Sequence, residues 1–564
     1  MNTNNSRYLT YEEVSNIFVK TSYFEQLSKP CHSVVLGARG WGKTTLLKML
    51  HPNAVNEYQK RDSNVDVPFY GVYIPSDRQW GIGLGQIEEN SGNKDWMIIS
   101  KALVNLNVLL AFLNSVKAIK DILALDEMGM ITYCVSLIKN WELDSRVSPA
   151  LELISMELIK YSISIKDYVN NTDGNSTLPY VCRTSFWDTL IIGIEMFEMQ
   201  FRSYSLKKRW ALCFDEMELT PSWLQKEVME EKLRNVNQKF LIKATGTPEW
   251  NIDSSYFGKP IIGHDYEIIK CWNKDDTSEI SWKSFCDQII VRDISSDYDV
   301  SPQELIDYVT FEDSLSLESL IRELSQYDKG FAEYFSKENY DISPRGDIQI
   351  KAIQTKSKRY MRAVLRARYE YYKSISRGKF SNKVYLGDFL LYKFADGNPR
   401  LFQNILGKII PTLKRNDKRK LKQNIPALES IVRSISTEAA YERLAVSTMP
   451  KIKVNGENYL SFPELLDTIG KYFSKCLLSE EYNSSPVTMF EIGKNSPFVP
   501  FINTGLENGT IIKIEDERRY AGKSRPVYRL SYILYPYYGY VDTYSKEVEL
   551  LEDIISKSNC YEAE

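Results

Sequence analysis

Apolar residues along this chain come in two rhythms, and each predicts a different element. Four short runs read as strands: Ser33-Val34-Val35-Leu36, Phe69-Tyr70-Gly71-Val72-Tyr73-Ile74, Ala211-Leu212-Cys213-Phe214 and Phe240-Leu241-Ile242-Lys243-Ala244. The third, with no polar position, is expected to be buried on both faces, as in a parallel sheet. Between the second and third runs, from Trp96 to about Tyr204, the pattern turns mostly helical. That stretch is too long for a single crossover helix, so a helical subdomain beside the sheet is expected. Near the end, helices over Phe462–Leu478 and Pro497–Asn508 precede an apolar strand, Gly509–Ile514, a charged turn and a returning strand, Val527–Ser531.

The first strand run breaks into Gly37-Ala38-Arg39-Gly40-Trp41-Gly42-Lys43-Thr44-Thr45, which carries the spacing G-x-x-x-x-G-K-[ST] of a P-loop. Glycines at 37 and 42 are expected to take positive φ and let the backbone approach a phosphate, so that the N–H groups of residues 37–45 form an anion nest. The helix that follows, Lys43 to Leu50, aims its unpaired N–H groups at the same charge. Lys43 is expected to reach the β and γ oxygens of a nucleoside triphosphate, and the Thr44 hydroxyl to ligate Mg2+.

The third run ends in Asp215-Glu216. At the end of a buried strand, one carboxylate would organise Mg2+ and the next would act as general base on the attacking water. Asp215 and Glu216 are assigned to those roles. The fourth run ends in Thr245-Gly246-Thr247-Pro248. A hydroxyl at that strand edge would sit beside the γ-phosphate, since ligands of such sheets lie at strand C-termini. Thr245 and Thr247 both qualify; Thr-Gly-Thr-Pro also reads as a turn that closes the strand.

Composition narrows the class without changing this picture. The 564 residues are 43% hydrophobic and 26% charged, with a formal net charge of -3, as in an ordinary soluble protein of several domains. The polar N-terminus carries no secretory signal, and Lys101, Asn105 and Asn107 interrupt the most apolar helix, near Met97–Leu113. A buried helix rather than a membrane span is expected, and no membrane partner. The eight cysteines have no C-x-x-C pair, and there are three histidines, which argues against a zinc site or disulfide framework and fits a reducing cytoplasm. Charge is uneven: Lys351–Lys383 holds eleven Lys and Arg residues against Glu370, and Lys414, Arg415, Lys418, Arg419, Lys420 and Lys422 follow. Arg359, Arg362 and Arg366, spaced by three and four, are expected to form a backbone-tracking stripe on one helix face.

P-loop, Asp-Glu strand, polar strand end and then Gly397-Asn398-Pro399-Arg400, taken in that order, resemble an AAA+ ATPase, in particular the bacterial and archaeal relatives of the origin-recognition initiators. Features are shared with STAND ATPases. The resemblance implies an α/β fold: a P-loop NTPase parallel sheet with a helical insertion, a helical lid and a C-terminal winged helix. On that reading residues 1–300 form the nucleotide domain with its insertion at about 95–205, 301–412 the lid, and 413–564 a basic linker and winged-helix-like domain. Arg400 would be the sensor arginine on the γ-phosphate, and Arg234 the arginine finger if the chain forms a homo-oligomer. Asp265–Trp272, with a helix through Cys286 to Arg292, would link core to lid.

The resemblance also frames the function. The leading expectation is a cytoplasmic Mg-ATP-dependent ATPase that couples nucleotide state to DNA engagement, in phage defence or mobile-element biology. DNA would be met by the basic lid and by a wing carrying Arg518, Arg519, Lys523 and Arg525. The alternative is a STAND-like nucleotide switch that signals to a protein effector. Slow turnover and partner capture that survives high salt would mark it.

Overall fold

A computed structural model describes residues 6–561 apart from 77–94, 171–178, 205–207, 232–238, 251–260, 272–275, 295–298, 311–315, 338–357, 376–380, 417–419, 446–448, 456–457, 494, 515–524 and 544–547. Internal contacts divide the chain into two units. The first comprises Met1–Gly37 and Gly42–Cys271; the second comprises Ala38–Trp41 and Trp272–Glu564.

The first unit is built on five parallel strands: β1 (Ser33–Leu36), β2 (Phe69–Pro75), β3 (Arg209–Asp215), β4 (Phe240–Gly246) and β5 (Glu267–Lys270). Their order is β2-β3-β4-β1-β5. The four expected runs are strands, and all are buried along most of their length because helices cover both faces of such a sheet. β1 pairs with β4 on one side and β5 on the other, so the chain leaves it in one direction and later returns to its opposite flank. In sheets wound in this way, ligands lie at the strand C-termini beside such a switch point.

Between β2 and β3 the expected helical insertion forms helices Asp95–Leu123, Glu127–Asn140, Leu151–Asn170, Tyr180–Arg183 and Phe186–Gln200. Met97–Leu123 is long and apolar enough to cross a membrane by length and composition, yet within this unit it packs on β2 and on its neighbouring helices. Phe112 lies 5.2 Å, centroid to centroid, from Trp210 of β3, and Phe197 lies 5.9 Å from the same ring. Asn105, fully buried, donates to the carbonyls of Val181 and Thr184, and accepts from the Thr189 hydroxyl at 3.0 Å. A polar residue that interrupts the apolar pattern is thus satisfied inside the helical core rather than exposed.

The second unit is largely helical and ends in a small four-stranded sheet ordered Ile511–Ile514, Val527–Leu530, Phe490–Glu491 and Glu549–Leu550. Helices Phe462–Leu477 and Val499–Asn508 precede its hairpin, close to the expected bounds. Arg529, buried on the returning strand, grips both carboxylate oxygens of Asp396 at 2.9 and 2.7 Å. The same carboxylate accepts from the Tyr532 N–H at 3.2 Å.

One expectation about this unit is corrected. Helix Lys358–Ile375 exists, but Arg366 does not stand on an exposed stripe. Its side chain is mostly buried, pairs with Glu370 at 3.5 Å, and burial pushes its pKa down. Arg368 is fully buried: it bonds Asp328 at 2.6 Å and the carbonyls of Leu477 and Ser479 at 2.8 and 2.9 Å. Spacing by three and four gives a shared helix face, and at Arg366 that face is buried; Arg368, on another face of the same helix, ties it to its neighbours. The side chains of Arg359 and Arg362 lie outside the described residues, as do Arg234, Arg518, Arg519 and Lys523.

Candidate functional site

The site lies where β1, β3 and β4 end. Thr245 follows Ala244, which pairs with Phe214, so Asp215 and Thr245 stand at matching heights on adjacent strands. The Thr245 hydroxyl donates to Asp215 Oδ1 at 2.7 Å and accepts the Glu216 N–H at 2.8 Å. It therefore uses its one proton on the first acid and a lone pair on the second residue's backbone. Glu216 has φ 53° and ψ 52°, a left-handed conformation unusual for a side chain with a Cβ. Its N–H bond to Thr245 accompanies that turn.

Asp215 is only 3% exposed. Its other oxygen accepts from the Thr44 hydroxyl at 2.8 Å and from the Tyr73 hydroxyl at 2.9 Å. A buried carboxylate held by hydroxyl donors still has a lone pair with which to ligate a cation. Carboxylate and hydroxyl oxygens are also the hard donors that Mg2+ selects. Asp215 and Thr44 thus fit a Mg2+ ion by the chemistry of the donor set.

The loop before this cluster is shaped by glycine, though not as expected at both ends. Positive φ falls on Gly42 (81°) and Gly40 (86°), not on Gly37. Gly37 instead donates its N–H to the Gly246 carbonyl at 3.1 Å, tying the loop to the end of β4. Gly246 leaves no room for a Cβ, which would collide with the Trp250 ring. Helix Lys43–Lys48 begins at Gly42 with no side-chain cap, and its N-terminus is the end of a helix that favours an anion. Lys43 is buried and its ammonium donates to the Gly37 carbonyl.

Thr247 is also buried, but its backbone carbonyl accepts from the Trp250 N–H at 3.1 Å and closes a turn. Of the two candidate hydroxyls, it is Thr245 that meets both acids. Within the second unit, Asn398 Nδ2 donates to the Arg39 carbonyl at 3.0 Å, and its Oδ1 caps helix Pro399–Ile409 by accepting the Leu401 N–H at 3.1 Å. A Cβ on Gly40 would fall 2.7 Å from Asn398 Oδ1, so glycine is required there on two counts. Arg400, at the start of that helix, has an exposed side chain, and its N–H points to the Gly40 carbonyl at 3.4 Å.

Four residues at this site escape sequence reasoning. Tyr73 lies near the end of β2, where only position along the strand could have marked it. Glu218, three residues past Asp215, has its pKa pushed up to about 7, chiefly by burial, with Lys43 pulling the other way. Its Oε2 has no hydrogen-bond partner among the described residues. Lys48 and Arg7 join the site through contacts across the chain, and no local pattern announces them. Lys48 donates to the carbonyls of Ser6, Arg7 and Leu9, and Arg7 forms an ion pair with Glu216.

Comparison with known proteins agrees with the fold. A family model described as ORC-CDC6-like matches residues 1–550. No curated protein and no solved structure matches the chain.

Proposed function

Because the chain belongs to the ORC-CDC6-like family, whose AAA+ members bind ATP with Mg2+, we propose that it is an Mg-ATP-dependent ATPase that couples nucleotide turnover to DNA engagement. The observation that carries the hydrolytic half is the single hydroxyl of Thr245, bonded to Asp215 and to the backbone of Glu216. Through it the group that would face the metal and the group that would face water are set by one residue.

In this reading the residues of the loop, 37–45, wrap the phosphates with backbone N–H groups, and Lys43 turns from the Gly37 carbonyl to the β and γ oxygens. Thr44 and Asp215 would hold Mg2+, which supplies charge neutralisation at the transferred phosphoryl group. Glu216 accepts the proton of the attacking water, and Thr245 keeps its backbone in place. Arg400, at the N-terminus of a helix in the 301–412 segment, reads the γ-phosphate and passes its loss to residues 413–564.

Support for DNA is electrostatic. The basic segment from Lys414 forms a small hairpin, Arg415–Asn416 with Lys420–Leu421. Lys414 and Lys422 are exposed at its base, joined by a backbone bond of 2.8 Å. Positive charge concentrated on a short segment suits backbone phosphates. The C-terminal helix pair and hairpin suit a winged helix in the same role.

The test is ATP hydrolysis with and without duplex and single-stranded DNA, together with a salt titration of duplex binding. Stimulation by DNA, and affinity that falls as salt rises, are expected. No binding at low salt, or binding indifferent to salt, would remove the DNA half. Slow turnover with a long-lived nucleotide complex and a salt-resistant protein partner would favour the switch reading instead.

A further inference from the structure

The residues before the first helix form a strap on the nucleotide site. Lys48, on the P-loop helix, lies among backbone oxygens: its ammonium donates to the carbonyls of Ser6 at 2.7 Å, Arg7 at 3.2 Å and Leu9 at 2.9 Å. The Ser6 and Thr45 hydroxyls are 2.5 Å apart. At the other end, Thr10 starts helix Tyr11–Ile17 with a reciprocal capping box to Glu13. Tyr11 then stacks on the buried His51, ring centroids 3.7 Å apart and planes within 2°.

A strap tied at both ends fixes what lies between, and between lies Arg7. Its guanidinium is ion-paired to the Glu216 carboxylate. The backbone of Glu216 is itself held, by its N–H bond to Thr245 and its left-handed turn. We propose that Arg7 is a positioning residue acting as a built-in brake: it occupies the general base until the N-terminal strap is lifted.

A general base needs an oxygen available to water and enough basicity to take a proton. A guanidinium bonded to that oxygen removes the first and reduces the second, since an adjacent cation favours the charged carboxylate. The arrangement is also releasable. Arg7 and Glu216 are 41% and 24% exposed, so solvent can replace the pair. Three carbonyl bonds on one lysine give a strap that is held by backbone atoms and lifts as a unit.

The proposal rests on the ATPase reading, and the experiment separates the two. The variants R7A and R7K are compared with the wild-type full chain, with any tag kept off the N-terminus. The readouts are kcat, affinity for a fluorescent ATP analogue, and thermal melting. An exposed ion pair of ordinary strength predicts that R7A raises kcat about two- to fivefold, while affinity and melting stay unchanged. R7K, which keeps a cation at that site, stays near wild type. In an E216Q background the R7A change has no effect. R7A activity equal to or below wild type, with ATP binding intact, overturns the brake and leaves the ATPase reading standing. So does acceleration that persists in the E216Q background. A wild-type chain that binds no ATP overturns both.

Discussion

Arg529 and Asp396 form a two-pronged ion pair inside the second unit, with bonds of 2.9 and 2.7 Å and side chains 6% and 3% exposed. Asp396 has φ 54° and Gly397 has φ 71°, so the pair clamps the left-handed turn that leads into Asn398, Pro399 and Arg400. A strand of the C-terminal sheet thereby holds the turn that aims the candidate sensor. Asp396→Ala or Arg529→Ala leaves one buried charge alone and is expected to cost about 3–5 kcal/mol. Replacing both, as R529M with D396L, should cost distinctly less than either single change. Urea denaturation of the three variants measures it; equal losses throughout would show that the pair carries no mutual compensation.

The nucleotide site divides cleanly between binding and chemistry. Lys43→Ala removes a charged donor to phosphate and is expected to weaken ATP binding by about 10- to 100-fold or more. Glu216→Gln keeps the shape and the backbone bond to Thr245, so affinity should hold while hydrolysis slows by about 100- to 10,000-fold. Titration with a fluorescent ATP analogue, beside single-turnover hydrolysis, reads both quantities. Normal turnover by the Glu216→Gln variant would assign the base to another group.

Thr245 and Thr247 look alike in the sequence and differ in the fold. Thr245→Ala frees one oxygen of Asp215 and the N–H of Glu216 together, and a loss of that supporting kind typically costs about 10- to 100-fold. Thr247→Ala should change kcat by less than about twofold, since the bond of Thr247 to Trp250 is made by the backbone. Parallel kcat measurements on the two variants decide the matter; a larger loss at 247 would reverse the assignment.

What can be read in advance follows from how far apart the interacting residues lie. The sheet strands and the P-loop are local patterns, carried by a few consecutive residues each, and the helical insertion shows in its own period. An apolar run ending in two acids is common in itself, and Asp215 and Glu216 stand out only because theirs follows a P-loop. Arg7 and Glu216 are 209 positions apart, as are, on a similar scale, Tyr73 and Asp215 at 142. Nothing near either residue in the chain reports its partner. The helix Lys358–Ile375 shows another limit: spacing says which arginines share a face, but only packing decides which are buried, as Asp328 and the end of helix Phe462–Leu477 do for Arg368. Gly37 departs from expectation for a related reason, because a P-loop glycine pattern does not say which glycine takes the left-handed turn.

Glu218 makes stability depend on pH in a direction that can be worked out. Burial raises its pKa from 4.5 to about 7, so the folded chain holds this proton over a range in which the unfolded chain has lost it. By linkage, stability from this group is complete below about pH 4.5 and declines as pH rises toward 7. Above that the folded state carries a poorly solvated carboxylate whose Oε2 lacks a hydrogen-bond partner among the described residues. Glu218→Gln removes the titration while keeping the size of the side chain. It should leave melting near pH 4.5 little changed and stabilise the fold by up to about 3 kcal/mol at about pH 8. Melting curves of both proteins across about pH 4.5 to 8 supply the check. A gain that is uniform across the range would mean that packing, not ionisation, distinguishes the two side chains. A gain confined to high pH would show that a charged Glu218 is tolerated at a cost beside Lys43, where a cation is already present to offset part of it.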